Sequence, residues 1–161
     1  MIWLLIIFTL AVVVSPLLMM KSSPRQQQIS SCRQAARSLS ISVNLHPQPD
    51  ARETEKRLVT TLYWLPWQTE RRPKPWVLHR CSDRGLHSRW SNWYWLPNRA
   101  GSQWEDVLDD VLCQLPSGVT AVVLNNSGVG VTWDERSDSA AVSTLHSCIE
   151  RLRKKGEEIS H

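Results

Sequence analysis

The sequence predicts an α+β fold: one N-terminal transmembrane helix followed by a small domain with a mainly antiparallel sheet and helices packed on one face. Three observations lead to this prediction. Residues 2–20 are an unbroken apolar run, short segments after residue 40 have strand-like patterns, and two later segments have apolar residues at helical spacing. Successive strand patterns without a helix between them are typical of antiparallel sheets whose helices lie on one side.

The apolar run IWLLIIFTLAVVVSPLLMM over 2–20 predicts a membrane anchor. As a helix it is about 29 Å long, close to the ~30 Å hydrocarbon thickness of a bilayer. A cleaved signal peptide would have a basic start and a small-residue cleavage site. A lipoprotein signal is a second alternative, but it would place its apolar core directly before Cys32. A helix buried in a soluble domain is a third, but such a helix is seldom apolar on every face.

The charges that follow the run predict its orientation. Lys21, Arg25, Arg33 and Arg37 lie within about 20 residues after it, and no Lys or Arg precedes it. We therefore expect a single-pass protein of a bacterial-type inner (plasma) membrane, with the N-terminus outside and the C-terminal domain cytoplasmic. The same four side chains are candidate contacts to lipid headgroups. Cys32, Cys81, Cys113 and Cys148 are then expected to be free thiols in a reducing compartment.

Four segments follow from this organisation: a transmembrane anchor over 1–21, an amphipathic basic juxtamembrane helix over 22–40, an α+β domain over 41–156 and a C-terminal tail over 157–161. Ser23 and Pro24 have the residue types of an N-cap and a first helical position. A net charge of +4 and a pI near 9.1 suit anionic lipid or nucleic acid without selecting either.

One family resemblance lies in this region. A single N-terminal apolar span is followed by the stretch Pro-Arg-Gln-Gln-Gln at 24–28. In this respect the first 35 or so residues resemble YajC-type accessory subunits of the bacterial Sec translocase. The resemblance implies an accessory role in protein translocation. The glycine-rich small β-domain that it also implies is not visible downstream, where a Trp-rich region follows instead.

Strand patterns fill the first half of the domain. They are predicted at 41–45, 57–65, 76–81 and 89–96, with turn-forming residues between them. Because these strands follow one another through short turns, we expect an antiparallel meander.

The C-terminal part predicts two helices around a hairpin. Ser102 and Glu105 have the spacing of a capping box before a helix. Residues 119–124 are apolar on both faces, as in a central strand, and Asn125–Gly128 predicts a turn into a partner strand over 129–133. A last helix begins at Ser137 or Asp138, and Gly156 has the residue type of its C′ position.

No residue pattern predicts an enzyme, a metal site or a cofactor. His79, Cys81, Asp83 and His87 are possible ligands, but their spacing matches no common zinc motif. His146 and Cys148 are two apart on a helix and do not face each other. The acidic residues Glu105, Asp106, Asp109 and Asp110 are typical of a solvated helix start, although they could also hold a cation or a basic partner.

The tryptophans of the domain are its most informative feature. Trp93 and Trp95 alternate on one face of a predicted strand, with Trp90 and Arg89 beside them. We expect either a Trp-rich core or an exposed surface formed by these four residues.

The functional prediction is a membrane-anchored, non-enzymatic interaction or assembly module whose partners are the lipid bilayer and a protein of unknown identity. Two alternatives are an accessory subunit of the Sec translocase and a membrane-tethered module that stacks single-stranded nucleic acid between tryptophans and arginines.

Overall fold

The computed structural model describes residues 2–4, 6–9, 23–55, 58–70 and 72–159. The domain is α+β, with a seven-stranded antiparallel sheet and three helices. The helices are α1 (Pro24–Ser38), α2 (Glu105–Gln114) and α3 (Ala141–Ile159), and short 3₁₀ helices cover Glu53–Glu55 and Ser102–Trp104. The strands are β1 (Ser42–Pro47), β2 (Val59–Pro66), β3 (Trp76–His79), β4 (Leu86–His87), β5 (Tyr94–Leu96), β6 (Val119–Asn125) and β7 (Gly128–Trp133).

The predicted transmembrane helix is wrong for the part of the chain that the structure describes. No helix there is both long and apolar enough to cross a bilayer. A span needs about 20 consecutive apolar residues in one helix, whereas the described helical residues before residue 23 are only 2–4 and 6–9. The predicted single-pass placement in the inner membrane is corrected with it. Residues 1, 5 and 10–21 of the predicted anchor, including Lys21, lie outside the described residues.

The strand order differs from the predicted meander. The sheet runs β1-β2-β7-β6-β3-β5-β4. Thus β2 and β3 are not neighbours, because the β6–β7 hairpin inserts between them and pairs with both. The hairpin can occupy the centre because its strands are buried on both faces, as the sequence of β6 predicted.

All three helices pack on one face of the sheet. The main core contains buried residues from every helix together with one face of the sheet, and its largest fully buried side chains include Trp133, Tyr63 and Leu78. A smaller cluster on the other face contains Leu62, Ala121 and Val123 and no helical residue. On that face the ring of Trp64 lies over Gly130, where a Cβ would approach the ring to 2.8 Å. The helices therefore enclose one side and a single indole covers part of the other.

The structure tests the predicted starts of two helices and the predicted end of a third. Ser23 caps α1, accepting a hydrogen bond from the amide of Gln26 at 3.2 Å, with Pro24 in the first turn as expected. The capping box at Ser102 does not form, because residues 102–104 make a 3₁₀ turn before α2 begins. Helix α3 continues through Gly156 to Ile159, so the predicted C′ glycine lies inside the helix.

Candidate protein-interaction site

The tryptophans after residue 23 are largely covered by the domain itself. Five are buried (Trp76, Trp93, Trp95, Trp104 and Trp133), and Trp64, Trp67 and Trp90 are half-buried. Trp76 packs edge-to-face against both Trp95 and Trp104, with ring centroids 5.4 and 5.1 Å apart. Trp93 and Trp95 thus belong to the core, and of the three predicted surface tryptophans only Trp90 reaches solvent.

Trp90 and Arg89 are held against α2. The indole N–H of Trp90 donates to Asp109 at 2.7 Å, and the Arg89 guanidinium pairs with Glu105 and Asp109 while lying 5.5 Å above the Trp90 ring. These carboxylates therefore bind the chain's own arginine. The Arg89 guanidinium covers one face of the Trp90 ring, a face that the nucleic-acid hypothesis would leave free for a base. Similarly, Arg80 lies 5.2 Å from the ring of Trp93.

Two of the predicted headgroup contacts are engaged inside the domain. Arg25 donates to the backbone carbonyls of Asp134 and Glu135. Arg33 makes two hydrogen bonds to the Glu135 carboxylate, at 2.9 and 3.1 Å, and this contact raises the pKa of the guanidinium. The buried hydroxyl of Tyr63 donates to the same carboxylate at 3.0 Å. This network attaches α1 to β2 and to the segment after β7.

Arg37, the third predicted headgroup contact that the structure describes, is not engaged inside the domain in this way. It is exposed, and it makes no ion pair with any residue that the structure describes. It lies one helical turn beyond Arg33 on α1, next to the first strand of the sheet.

The thiol and imidazole groups that the structure describes are dispersed through the domain. No cluster of three or more possible metal ligands occurs among the described residues. His79 is buried, with Nε2 at 2.9 Å from the carbonyl of Arg84, and burial lowers its pKa. Burial raises the pKa of the thiols of Cys32, Cys81 and Cys148, which makes them poor nucleophiles. All four cysteines are free.

Strand β1 forms one edge of the sheet. Among the strands that the structure describes, β2 is its only partner. Just beyond the paired residues, the amide of Gln48 donates to the carbonyl of Leu58. Hydrogen-bonded pairs alternate along an antiparallel ladder. The backbone groups of Val43 and Leu45 therefore point away from β2, toward the open edge.

The end of the β1–β2 pair nearest the connection between the two strands exposes apolar side chains. Leu45 is 71% exposed, Val59 is 59% exposed and Leu58 is 49% exposed. Because Leu45 pairs with Thr61 and Pro47 pairs with Val59, Leu45 and Val59 are diagonal neighbours on one face of the hairpin. An open strand edge beside exposed aliphatic side chains is a typical place for another chain to pair.

A cavity of about 430 Å³ lies between α1 and this edge, and we call it the edge groove. Its lining consists of Arg33, Arg37, Ser40, Ile41, Ser42, Val43 and Asn44. These residues include two arginines and no carboxylate. The sequence predicted the strand at 41–45 and the arginines separately, but their meeting at a free edge depends on the order of the strands.

Comparisons with family models, with curated proteins and with solved structures found no match to this chain.

Proposed function

We propose that this protein is a non-enzymatic interaction module, and that it binds an extended, acidic segment of a protein partner as an additional strand on β1. The observation that carries the proposal is the open edge of β1, with the N–H and C=O groups of Val43 and Leu45 directed outward. In this mode of recognition the main chain supplies affinity, and the neighbouring side chains supply specificity.

The charges beside the edge support an acidic partner. Arg37 is exposed and lacks an ion pair within the described residues, and the edge groove contains no carboxylate. An acidic side chain that flanks the docked strand would meet Arg37 without displacing an existing partner. Arg33 contributes less, because Glu135 already engages it.

The exposed side chains of the hairpin tip support the apolar part of the interaction. Leu45 and Val59 lie on the same face, and alternate residues of an added strand point to one face of the sheet. An apolar residue of the partner strand can therefore cover Leu45. Burial of one such side chain contributes about 1.5–3 kcal/mol.

Leu45→Pro tests this mode of binding directly. The N–H of Leu45 points to the open edge, so proline at this position removes a donor that β2 does not use. The probe is a fluorescein-labelled peptide of alternating Val and Thr with Glu at both ends, measured by fluorescence anisotropy. We expect the wild-type domain to bind it and Leu45→Pro to lose binding. Amide hydrogen exchange should slow at Val43 and Leu45 when the peptide binds.

Arg37→Gln and a matched peptide with Lys in place of Glu test the charge selection. We expect about tenfold weaker binding for either change, equivalent to about 1.4 kcal/mol. Equal binding of the peptide to wild type and Leu45→Pro, or unchanged exchange at Val43, would contradict strand addition. Self-association of the wild-type domain that Leu45→Pro abolishes, without peptide binding, would assign the edge to a second copy of the chain and overturn the proposed partner.

A further inference from the structure

A second, larger cavity is lined by residues that the interaction site does not use. It has a volume of about 1010 Å³. Its walls come from the segment before β3, from the start of β3, from the end of β6 and from the loop between β5 and α2, with His46 of β1 and Ile159 of α3 at its margin. The volume is at the upper end of the range of small-molecule sites.

The charged side chains around this cavity all have the same sign. Arg72, Lys74 and Arg99 line it, and its lining contains no Asp or Glu. Arg72 and Lys74 are exposed and form no ion pair within the described part of the chain. Arg99 donates one N–H to the carbonyl of His87 at 2.7 Å. Three cations without a neighbouring carboxylate produce a positive potential that favours an anion.

The walls below these cations are largely apolar. Trp76 and Trp104 border the cavity but are only 2% exposed, so its accessible apolar surface comes from residues such as Val77, Pro97 and Ala100. The indole N–H of Trp76 is buried, and no described group accepts a hydrogen bond from it. Pro73 and Pro75 flank Lys74, and proline restricts φ, so the cationic segment is conformationally restrained before any ligand binds.

We propose that this cavity binds a small organic anion, with an apolar body against Val77, Pro97 and Ala100 and a carboxylate or phosphate group between Arg72, Lys74 and Arg99. The assignment rests on the charge and composition of the cavity and does not depend on the proposed partner at β1. A carboxylate and a phosphate monoester have in common the anionic oxygens that Arg and Lys bind.

Three probes with the same alkyl chain separate the contributions of charge and apolar surface. Octanoate, octyl phosphate and octanol are titrated into the full-length protein by isothermal calorimetry, below their aggregation concentrations. We expect saturable binding of at least one anion, about tenfold tighter than that of octanol, because only the anions can engage the cations. The tighter of the two anions identifies the headgroup as a carboxylate or a phosphate.

The double variant Arg72→Gln/Lys74→Gln removes the two cations that have no described partner. We expect it to weaken binding of the anion about tenfold and to leave the affinity for octanol unchanged. Arg52→Gln is the matched control, because Arg52 is an exposed arginine that lines neither this cavity nor the edge groove, and it should leave both affinities unchanged.

Three outcomes overturn the proposal: no saturable binding of either anion, octanol binding as tightly as the anions, or equal loss of affinity in Arg52→Gln and the double variant. The last outcome would mean that net charge alone attracts the probes. Near-ultraviolet circular dichroism of each variant shows that its aromatic core is retained. The peptide experiment at β1 gives a separate result, so the two proposals can fail independently.

Discussion

Gly156→Ala should destabilise this domain although the same change usually stabilises a helix. Gly156 lies inside α3 and is buried under the ring of Trp67. In an exposed helix interior, alanine is about 1 kcal/mol more favourable than glycine. Here a Cβ on residue 156 would lie 2.6 and 2.7 Å from two carbons of the Trp67 ring, and 3.1 Å from Trp104. Carbon atoms pack optimally about 3.5–4.0 Å apart.

The Trp67 ring cannot move away from residue 156 without weakening a hydrogen bond. Its indole N–H donates to the carbonyl of Asn125 at 2.8 Å, so a shift of the ring strains that hydrogen bond. Overpacking a core by one methyl group costs about 1–3 kcal/mol, and a net hydrogen bond contributes about 1 kcal/mol. After subtraction of the helix-propensity gain, we expect Gly156→Ala to lower the free energy of unfolding by about 1–3 kcal/mol.

Urea unfolding followed by circular dichroism measures this change, and a double-mutant cycle identifies its cause. In a Trp67→Leu background the ring is absent, so Gly156→Ala should no longer be destabilising. Ser147→Ala is the control, because Ser147 is exposed on the same helix and should change stability by less than about 0.5 kcal/mol. Stabilisation by Gly156→Ala in the wild-type background would refute the packing argument.

The remaining predictions concern the ion-pair network, pH and thiol reactivity. Arg33→Ala leaves the buried Glu135 carboxylate without its cation and should lower the free energy of unfolding, measured in urea, by about 3 kcal/mol. Tyr63→Phe removes only one hydrogen bond to the same carboxylate and should cost about 1.5 kcal/mol. An equal cost for the two variants would show that the charge of Arg33 is dispensable. Because burial lowers the pKa of His79, the unfolded chain takes up a proton below about pH 6.5, whereas the folded chain takes it up only at a lower pH. Stability should therefore fall from pH 7 to 5 by more in wild type than in His79→Gln, and identical profiles would contradict this. Cys113 is more exposed than Cys32, Cys81 and Cys148 and should react with a maleimide before them in the native state. Peptide mass mapping of the labelled protein measures the order of reaction.

Local patterns in the sequence predicted much of the secondary structure. The Ser23 cap, the central position of β6 and the turn before β7 follow from residues within a few positions of each other. The predicted strand over 89–96 shortened to Tyr94–Leu96, because residues 88–93 form a loop held to α2 by Arg89 and Trp90.

Long-range contacts account for what the sequence did not predict. In the sequence, Gly156 has the residue type and the position expected at the end of a helix. Its close contact with the Trp67 ring depends on a residue that is far away in the chain. The sequence predicts Arg33 as a contact to lipid headgroups. Its actual partner, Glu135, lies 102 residues later, so no local pattern indicates the ion pair. The open edge of β1 likewise follows only from the pairing of β2 with β7.

The strand order also determines when the sheet can be completed during synthesis. The β1–β2 hairpin and the β3–β5 pair have no direct contact within the sheet, and the hairpin over 119–133 joins them. A nascent chain that has reached only α2 therefore has two separate groups of strands with unpaired inner edges. Release of a chain that stops before Trp133 would leave β2 and β3 open to strands of other molecules. The last quarter of the polypeptide is thus the part that converts two incomplete sheets into one.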